Sequence, residues 1–290
     1  MKRALVLLNQ AIRWQDNLLL TEQPGFDQLI AVLVLDPTEY LGSQYEVKRA
    51  STLRLQSQLR LLLDWQQQWQ QQDLVLHLRI GDTSLCLQQL AQCYQADALI
   101  AAEPTAPEQY QQLQNCGLSL KLYDLNSLLQ HQLRPDLATL PKSFSAFRRQ
   151  REPELRVQSP TFHAVSTQFY GEAEQALDQS SKDFISRHHN PNAVLLNEAV
   201  ALERLEQFIW QQRAVTHYKQ SRDALDGQWN SSLWSFYLAN GCLSACYAWQ
   251  QVLDFEQQQL ANESTYWIRF ELLWREYFRW QMRQHGRAWF

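Results

Sequence analysis

Residues Gln228–Phe290 read QWNSSLWSFYLANGCLSACYAWQQVLDFEQQQLANESTYWIRFELLWREYFRWQMRQHGRAWF, and this segment settles the architecture. Leu233–Gln251 and Thr265–His285 are two long runs, rich in aromatics, with apolar residues at helical spacing. Asn230-Ser231-Ser232 is a helix-start signal ahead of the first. Just upstream, Asn197–Gln212 places Val200, Leu202, Leu205, Phe208 and Ile209 on one helical face. Eight of the eleven tryptophans lie between Trp210 and Trp289, so residues 196–290 are expected to form an all-α, aromatic-packed unit.

Working back from it, residues 126–195 hold five of the nine prolines, Pro135, Pro141, Pro153, Pro160 and Pro191, together with Arg148, Arg149, Arg151 and Arg156. Proline fixes φ and removes a donor, so this segment reads as a connector without a regular sheet or a long helix. Residues 1–125 alternate differently. Ala4–Leu8, Leu29–Leu35, Leu74–Ile80, Ala98–Ala102 and Leu118–Tyr123 are apolar runs of strand length. Between them Glu46–Gln72, with Leu53, Leu55, Leu59, Leu62 and Leu63, reads as an amphipathic helix, and Leu85–Tyr94 and Pro107–Gln114 read as shorter ones. Strands alternating with helices predict an α/β domain with a five-stranded, mostly parallel, Rossmann-like sheet. Asn9-Gln10-Ala11 follows the first strand where a Gly-rich dinucleotide loop would lie, so ordinary dinucleotide binding there is excluded.

Composition narrows the classes further. Hydrophobic residues make up 45% of 290 residues, as in a globular chain, and the net charge of -4 provides no global basic field for nucleic acid. Five cysteines, with no CxxC pair, predict reduced thiols in a cytoplasmic protein, with neither a disulfide framework nor a zinc site. His188-His189 points apart on a helix and predicts no metal. The N-terminal apolar run is too short for a signal peptide, and no segment reaches the about 18 apolar residues that a membrane span needs. The glutamines of Trp65–Gln72 read as a solvated helix face.

Several motifs then stand out. Leu238-Ala-Asn-Gly-Cys-Leu-Ser244 matches L-A-x-G-x-[LI]-S, and Glu271-Leu-Leu-Trp274-Arg275-Glu276-Tyr277-Phe278 matches E-L-x-W-R-[DE]-[FY]-[FY]. Tyr218-Lys-Gln-Ser-Arg222-Asp is similar to Y-K-x-T-R-[ND]. Ser231-Ser232-Leu233-Trp234-Ser235 is similar to [ST]-S-[KR]-[LF]-S, with Leu233 in place of the basic residue. Near the N-terminus, Arg13, Asp16 and Asn17 retain part of a W-F-R-N-D-L-R-x-x-D-N pattern. Leu140–Arg149 is similar to P-x-x-[FY]-[ST]-x-F-R-K. On these residues the chain resembles the photolyase/cryptochrome family, and within it the DASH type, ending midway through the flavin-binding helical domain.

The resemblance implies light-dependent, flavin-based DNA repair or blue-light sensing. An active member would be a deoxyribodipyrimidine photo-lyase, a carbon–carbon lyase. It implies FAD held by Tyr218, Ser231, Ser232, Ser235 and Arg275, a folate antenna near Glu152, and lesion contact by Glu271 and Trp274. Trp274 would stack on a base. The residues alone add a basic stripe, Arg275, Arg279 and Arg283 at i, i+4 and i+8 on an acidic chain; Arg279 and Arg283 would meet DNA phosphates. The same stripe equally reads as a solvated helix face, and Glu271, Trp274 and Arg275 equally read as a packing motif. Trp267, Tyr277, Phe278, Trp280, Trp289 and Phe290 suggest an exposed aromatic face that recruits a second copy or a completing partner. The alternative is a cofactor-free protein that binds DNA, RNA or a partner through the arginine stripe and this face.

Overall fold

The computed structural model of the chain describes residues 1–44, 46–129, 134–157, 161 and 163–289. Five parallel strands make one sheet: β1 (Arg3–Leu7), β2 (Gln28–Leu35), β3 (Leu76–Ile80), β4 (Ala98–Ala102) and β5 (Ser119–Tyr123), in spatial order β3-β2-β1-β4-β5. Central β1 is covered on both faces, which is why its sequence is continuously apolar. Its Leu5 and Leu7 pack with Ile30, Val32 and Leu99 under α2 (Thr83–Tyr94) and α3 (Pro107–Asn115). Its Ala4 and Val6 pack on the other side with Leu33, Leu78 and Ile100 under α1 (Thr52–Gln70). Edge strand β5 is half-exposed, and it is the strand that alternates polar residues with apolar ones.

The connector carries α4 (Phe144–Arg151) and α5 (Gln179–His188), and it bridges Leu29 through Phe169 and Leu78 through Leu177. Pro160 lies outside the described residues. Beyond it come α6 (Glu198–Glu206), a π-turn (Gln207–Gln211), α7 (Ser235–Asn240), α8 (Ala245–Gln258) and α9 (Glu263–His285). These helices share one buried core with α1 and the sheet: Leu62, Trp65, Phe208, Trp249, Leu273 and Trp280 belong to the same cluster.

Four expectations are corrected. The helix expected over Glu46–Gln72 starts at Thr52, capped by Ser51, after a two-stranded ribbon (Ser43–Gln44 with Val47–Lys48). The glutamine face is not all solvated: Gln66 is buried and donates to the Leu76 carbonyl, and Gln68 accepts from the Trp14 indole.

The helix expected over Leu233–Gln251 is broken at Gly241, which ends α7 in the left-handed region at φ 72°. Only glycine fits there, because a Cβ would lie 1.8 Å from the Gln10 carbonyl oxygen. Arg13, 1% exposed, locks this contact by donating to the carbonyls of Gly241, Leu125, Gln15 and Asp16 and to the Asn126 side chain. Ser244 caps α8 and donates to Asp16 at 2.5 Å. The two quoted motifs, around Arg13 and around Gly241, are thus one seam between sheet and helices.

The aromatic face of α9 is largely covered. Trp280 is 0% and Tyr277 5% exposed, with Tyr277 against Phe144 and Phe147 of α4. Phe278 stays 49% exposed, the side chain of Trp289 is not described, and Phe290 lies outside the described residues.

Candidate functional site

Helix α9 positions the site. A capping box between Asn262 and Thr265 fixes its start, and Ile268, Glu271, Leu272, Arg275, Arg279 and Met282 then fall on one stripe. That stripe walls a cavity of about 520 Å³. The opposite wall comes from the β4–α3 loop (Thr105, Ala106), Gln10 and Asn126, and the ends from Tyr218, Ser232 and Ser235. A second cavity of about 840 Å³ opens at the C-terminal ends of β1 and β4, beside Asn9, Asp36 and Arg54, and the two share Gln10, Gln109, Ser235 and Ala239. Gln10 donates to Gln109 at 2.6 Å between them.

Of the six residues expected to hold a cofactor, Tyr218, Ser232, Ser235 and Arg275 line the smaller cavity, together with Glu271. Tyr218 is buried, and burial first, then the Glu271 carboxylate, pushes its phenol up. Glu271 is ion-paired to Arg222. Ser231 is held beside the cavity by Arg204, which donates to the carbonyls of Gln228, Ser231 and Ser232 and lies over the Trp229 ring at 4.2 Å. Leu233 has φ 58°, a conformation that costs a branched side chain energy. It stands exposed, and α7 starts at Ser235, two residues after the expected start at Leu233.

Arg275 donates to the Asn126 carbonyl at 2.8 Å. Burial, then the neighbouring Arg279, pulls it down to about 9, so it stays cationic at neutral pH. Glu152 is elsewhere, at the α4–α9 junction, where it accepts from the Tyr266 hydroxyl and pairs with Arg148.

Trp274 is not in the cavity. It lies on the α9 face toward the connector, stacked on Phe144 at 3.7 Å and 13°, although Glu271 is one turn away. The arginine stripe does not form an exposed row of charges. Arg283 is 6% exposed at its side chain and paired with Asp124 and Glu103. Arg279 is 14% exposed and 3.9 Å from the same Asp124. These acids come from the β4 and β5 ends, and nothing in the α9 periodicity announces them.

Glu276, Asn126 and Asp124 were not singled out from sequence. Glu276 is 0% exposed and accepts from Ser127, the Leu128 amide at 2.9 Å and the Trp280 indole at 2.6 Å. The one sequence signal was its place in the E-L-x-W-R-[DE] motif. Among the described residues, no group of three or more His, Cys, Asp or Glu is arranged to hold a metal, and no helix is long and apolar enough to cross a membrane. Among the described residues no disulfide joins the five cysteines, and four of them are buried.

A 3-2-1-4-5 parallel sheet docked through one seam onto helices that wall a cavity is the photolyase/cryptochrome fold. The solved Synechocystis cryptochrome superposes with a TM-score of 0.79 at 23% identity, covering 99% of this chain and 62% of that one. The Sulfolobus tokodaii photolyase, solved with two FAD molecules, gives 0.67 at 18% identity, covering 98% and 60%. In sequence, the DASH cryptochrome of Idiomarina loihiensis is 31% identical over 307 residues, which is 99% of this chain and 64% of the relative. The chain is similar in sequence to several DASH cryptochromes. It spans 58% to 64% of the length of the curated relatives it matches end to end. No protein-family model matches the chain.

Proposed function

We propose that this chain is a photolyase/cryptochrome-type flavoprotein that binds FAD in the 520 Å³ cavity and works with nucleic acid in a light-dependent process. One observation carries the reading. Tyr218, Ser232, Ser235, Glu271 and Arg275 come from three separate segments, yet all border a single cavity of ligand size. The donor set suits the cofactor: serine hydroxyls and buried guanidinium groups match the diphosphate, and the apolar Trp234, Leu238 and Ile268 match flat rings. Bound flavin would supply light absorption and an electron. The residues of this chain hold and orient it, keep water off Tyr218, and fix Glu271 against Arg222.

The relationship to DASH cryptochromes, and a fold shared with a photolyase solved with FAD, support the same reading. They also support a nucleic-acid partner. The covered Trp274 and the ion-paired Arg283 do not favour the cofactor-free alternative built on an arginine stripe.

The experiment is equilibrium binding of FAD to the purified chain by flavin fluorescence. Ser232→Trp, which fills the cavity, should abolish binding while leaving the fold intact by circular dichroism. FAD binding unchanged in Ser232→Trp would place the flavin elsewhere and end this proposal.

A further inference from the structure

The two cavities are separated by a wall that they share, made of Gln10, Gln109, Ser235 and Ala239. Ser235 and Ala239 are short side chains one turn apart on α7. Gln10, in the loop after β1, and Gln109, in the first turn of α3, close the rest. Their carboxamides meet through one hydrogen bond, from Gln10 Nε2 to Gln109 Oε1 at 2.6 Å, the single side-chain hydrogen bond that either makes among the described residues. This long, unbranched pair is the part of the wall able to swing.

Gln10 is also a strained residue. Its φ of 62° is left-handed, a conformation that costs any residue but glycine energy and persists only where neighbours enforce it. Those neighbours are Asn126, whose Nδ2 donates to the Gln10 carbonyl at 2.8 Å, and Gly241, packed against that carbonyl. Asn126 also reaches the smaller cavity, where its own carbonyl accepts from Arg275 at 2.8 Å. On the other side, Gln112 follows Gln109 by one turn of α3 and donates to Asp36 at 3.4 Å in the wall of the larger cavity. Hydrogen bonds therefore run from Arg275 through Asn126 and Gln10 to Gln109, and α3 carries the line on to Asp36.

We propose that the Gln10–Gln109 bridge couples the two cavities, so that occupying the larger one weakens binding in the smaller. A group entering the larger cavity competes for the Gln109 carboxamide. With the bridge broken, Gln10 loses its side-chain tether and its strained backbone relaxes, which loosens the Asn126 contact that aims Arg275. The coupling stands on this geometry alone; its use as a control on flavin binding rests on the flavin reading.

The test is a double-mutant cycle on the full chain with two readouts: FAD affinity by fluorescence titration, and hydrogen exchange of residues 8–12 and 124–129 by mass spectrometry. Ser57→Trp fills the larger cavity, which Ser57 lines, and leaves the smaller one, which it does not line. Gln109→Leu cuts the bridge at similar volume. Ser57→Trp should weaken FAD binding by about fivefold or more and speed exchange in both segments, and it should do neither once Gln109→Leu is present. Any direct effect of Gln109→Leu on FAD cancels in the cycle. Should Ser57→Trp not fold, Ser57→Cys in a Cys93→Ser background, labelled after folding with benzyl methanethiosulfonate, fills the same space. Bridge-dependent exchange with no FAD binding to any variant supports the coupling and counts only against the flavin reading. FAD bound as tightly with the larger cavity filled as with it empty, or filling effects equal with and without Gln109→Leu, overturns the proposal; where FAD does not bind at all, unchanged exchange overturns it.

Discussion

Replacing Gly241 by alanine tests the seam on which the site is built. At φ 72° an alanine costs about 1 kcal/mol for its left-handed conformation. The new Cβ would also lie 1.8 Å from the Gln10 carbonyl oxygen and 2.7 Å from the Ala11 nitrogen. Both neighbours are backbone, and the Gln10 carbonyl is fixed by a 2.8 Å bond from Asn126, so the clash is relieved only by separating α7 from the loop after β1. Overpacking of this kind adds about 2 kcal/mol, for a total near 3 kcal/mol. In a domain of this size that lowers Tm by about 6–12 °C. Gly25→Ala is the matched control: its φ is 95°, but nothing lies within 4 Å of the added methyl, so only the conformational cost of about 1 kcal/mol is expected. Differential scanning fluorimetry of both variants against wild type gives the comparison. Equal Tm changes for Gly241→Ala and Gly25→Ala would refute the claim that backbone contact across the seam fixes this residue.

Three further outcomes follow from individual side chains. His77 is 0% exposed, and burial first, with Arg79 beside it, holds its imidazole down to about 4 against an ordinary 6.5, despite a helpful contact with the Gln175 carbonyl. The unfolded chain therefore takes up the proton first, and stability should fall by roughly 3 kcal/mol as pH drops from about 6.5 to about 4. Urea denaturation at both ends of that window should show a smaller fall in His77→Gln. Glu276→Leu should destabilise by about 3–5 kcal/mol, because it strands the Ser127 hydroxyl, the Leu128 amide and the Trp280 indole; a change under about 1 kcal/mol in chemical denaturation would show those donors find water instead. Arg204→Ala releases three carbonyls of the loop carrying Ser231 and Ser232, so FAD affinity should drop about tenfold in fluorescence titration, with Arg204→Lys recovering part of it.

The sheet was legible because its strands are buried on both faces. Leu29–Leu35 and Ala98–Ala102 announce themselves as unbroken apolar runs, and the observed β2 and β4 match them to within a residue. What escaped the sequence depends on partners distant in the chain. Helical periodicity across Leu233–Gln251 is continuous, and the break at Gly241 becomes necessary only once Gln10 is seen against it. Periodicity likewise put Arg275, Arg279 and Arg283 on one face correctly, but it does not say what covers that face; Asp124 and Glu103, from strand ends far upstream, decide that. Trp274 and Glu271 differ by only one turn, yet Phe144 draws the indole toward the connector while Arg222 holds the carboxylate at the cavity. Glu276 escaped notice because a fully buried carboxylate looks, in sequence, like any exposed one.

The most direct test of the central claim is the visible absorption and fluorescence spectrum of the chain purified in the dark, before and after adding excess FAD and removing the unbound fraction. Retained flavin with resolved vibronic structure, and loss of that signal in Ser232→Trp, is the expected result. A colourless protein that leaves added FAD wholly in the unbound fraction would contradict the flavoprotein reading.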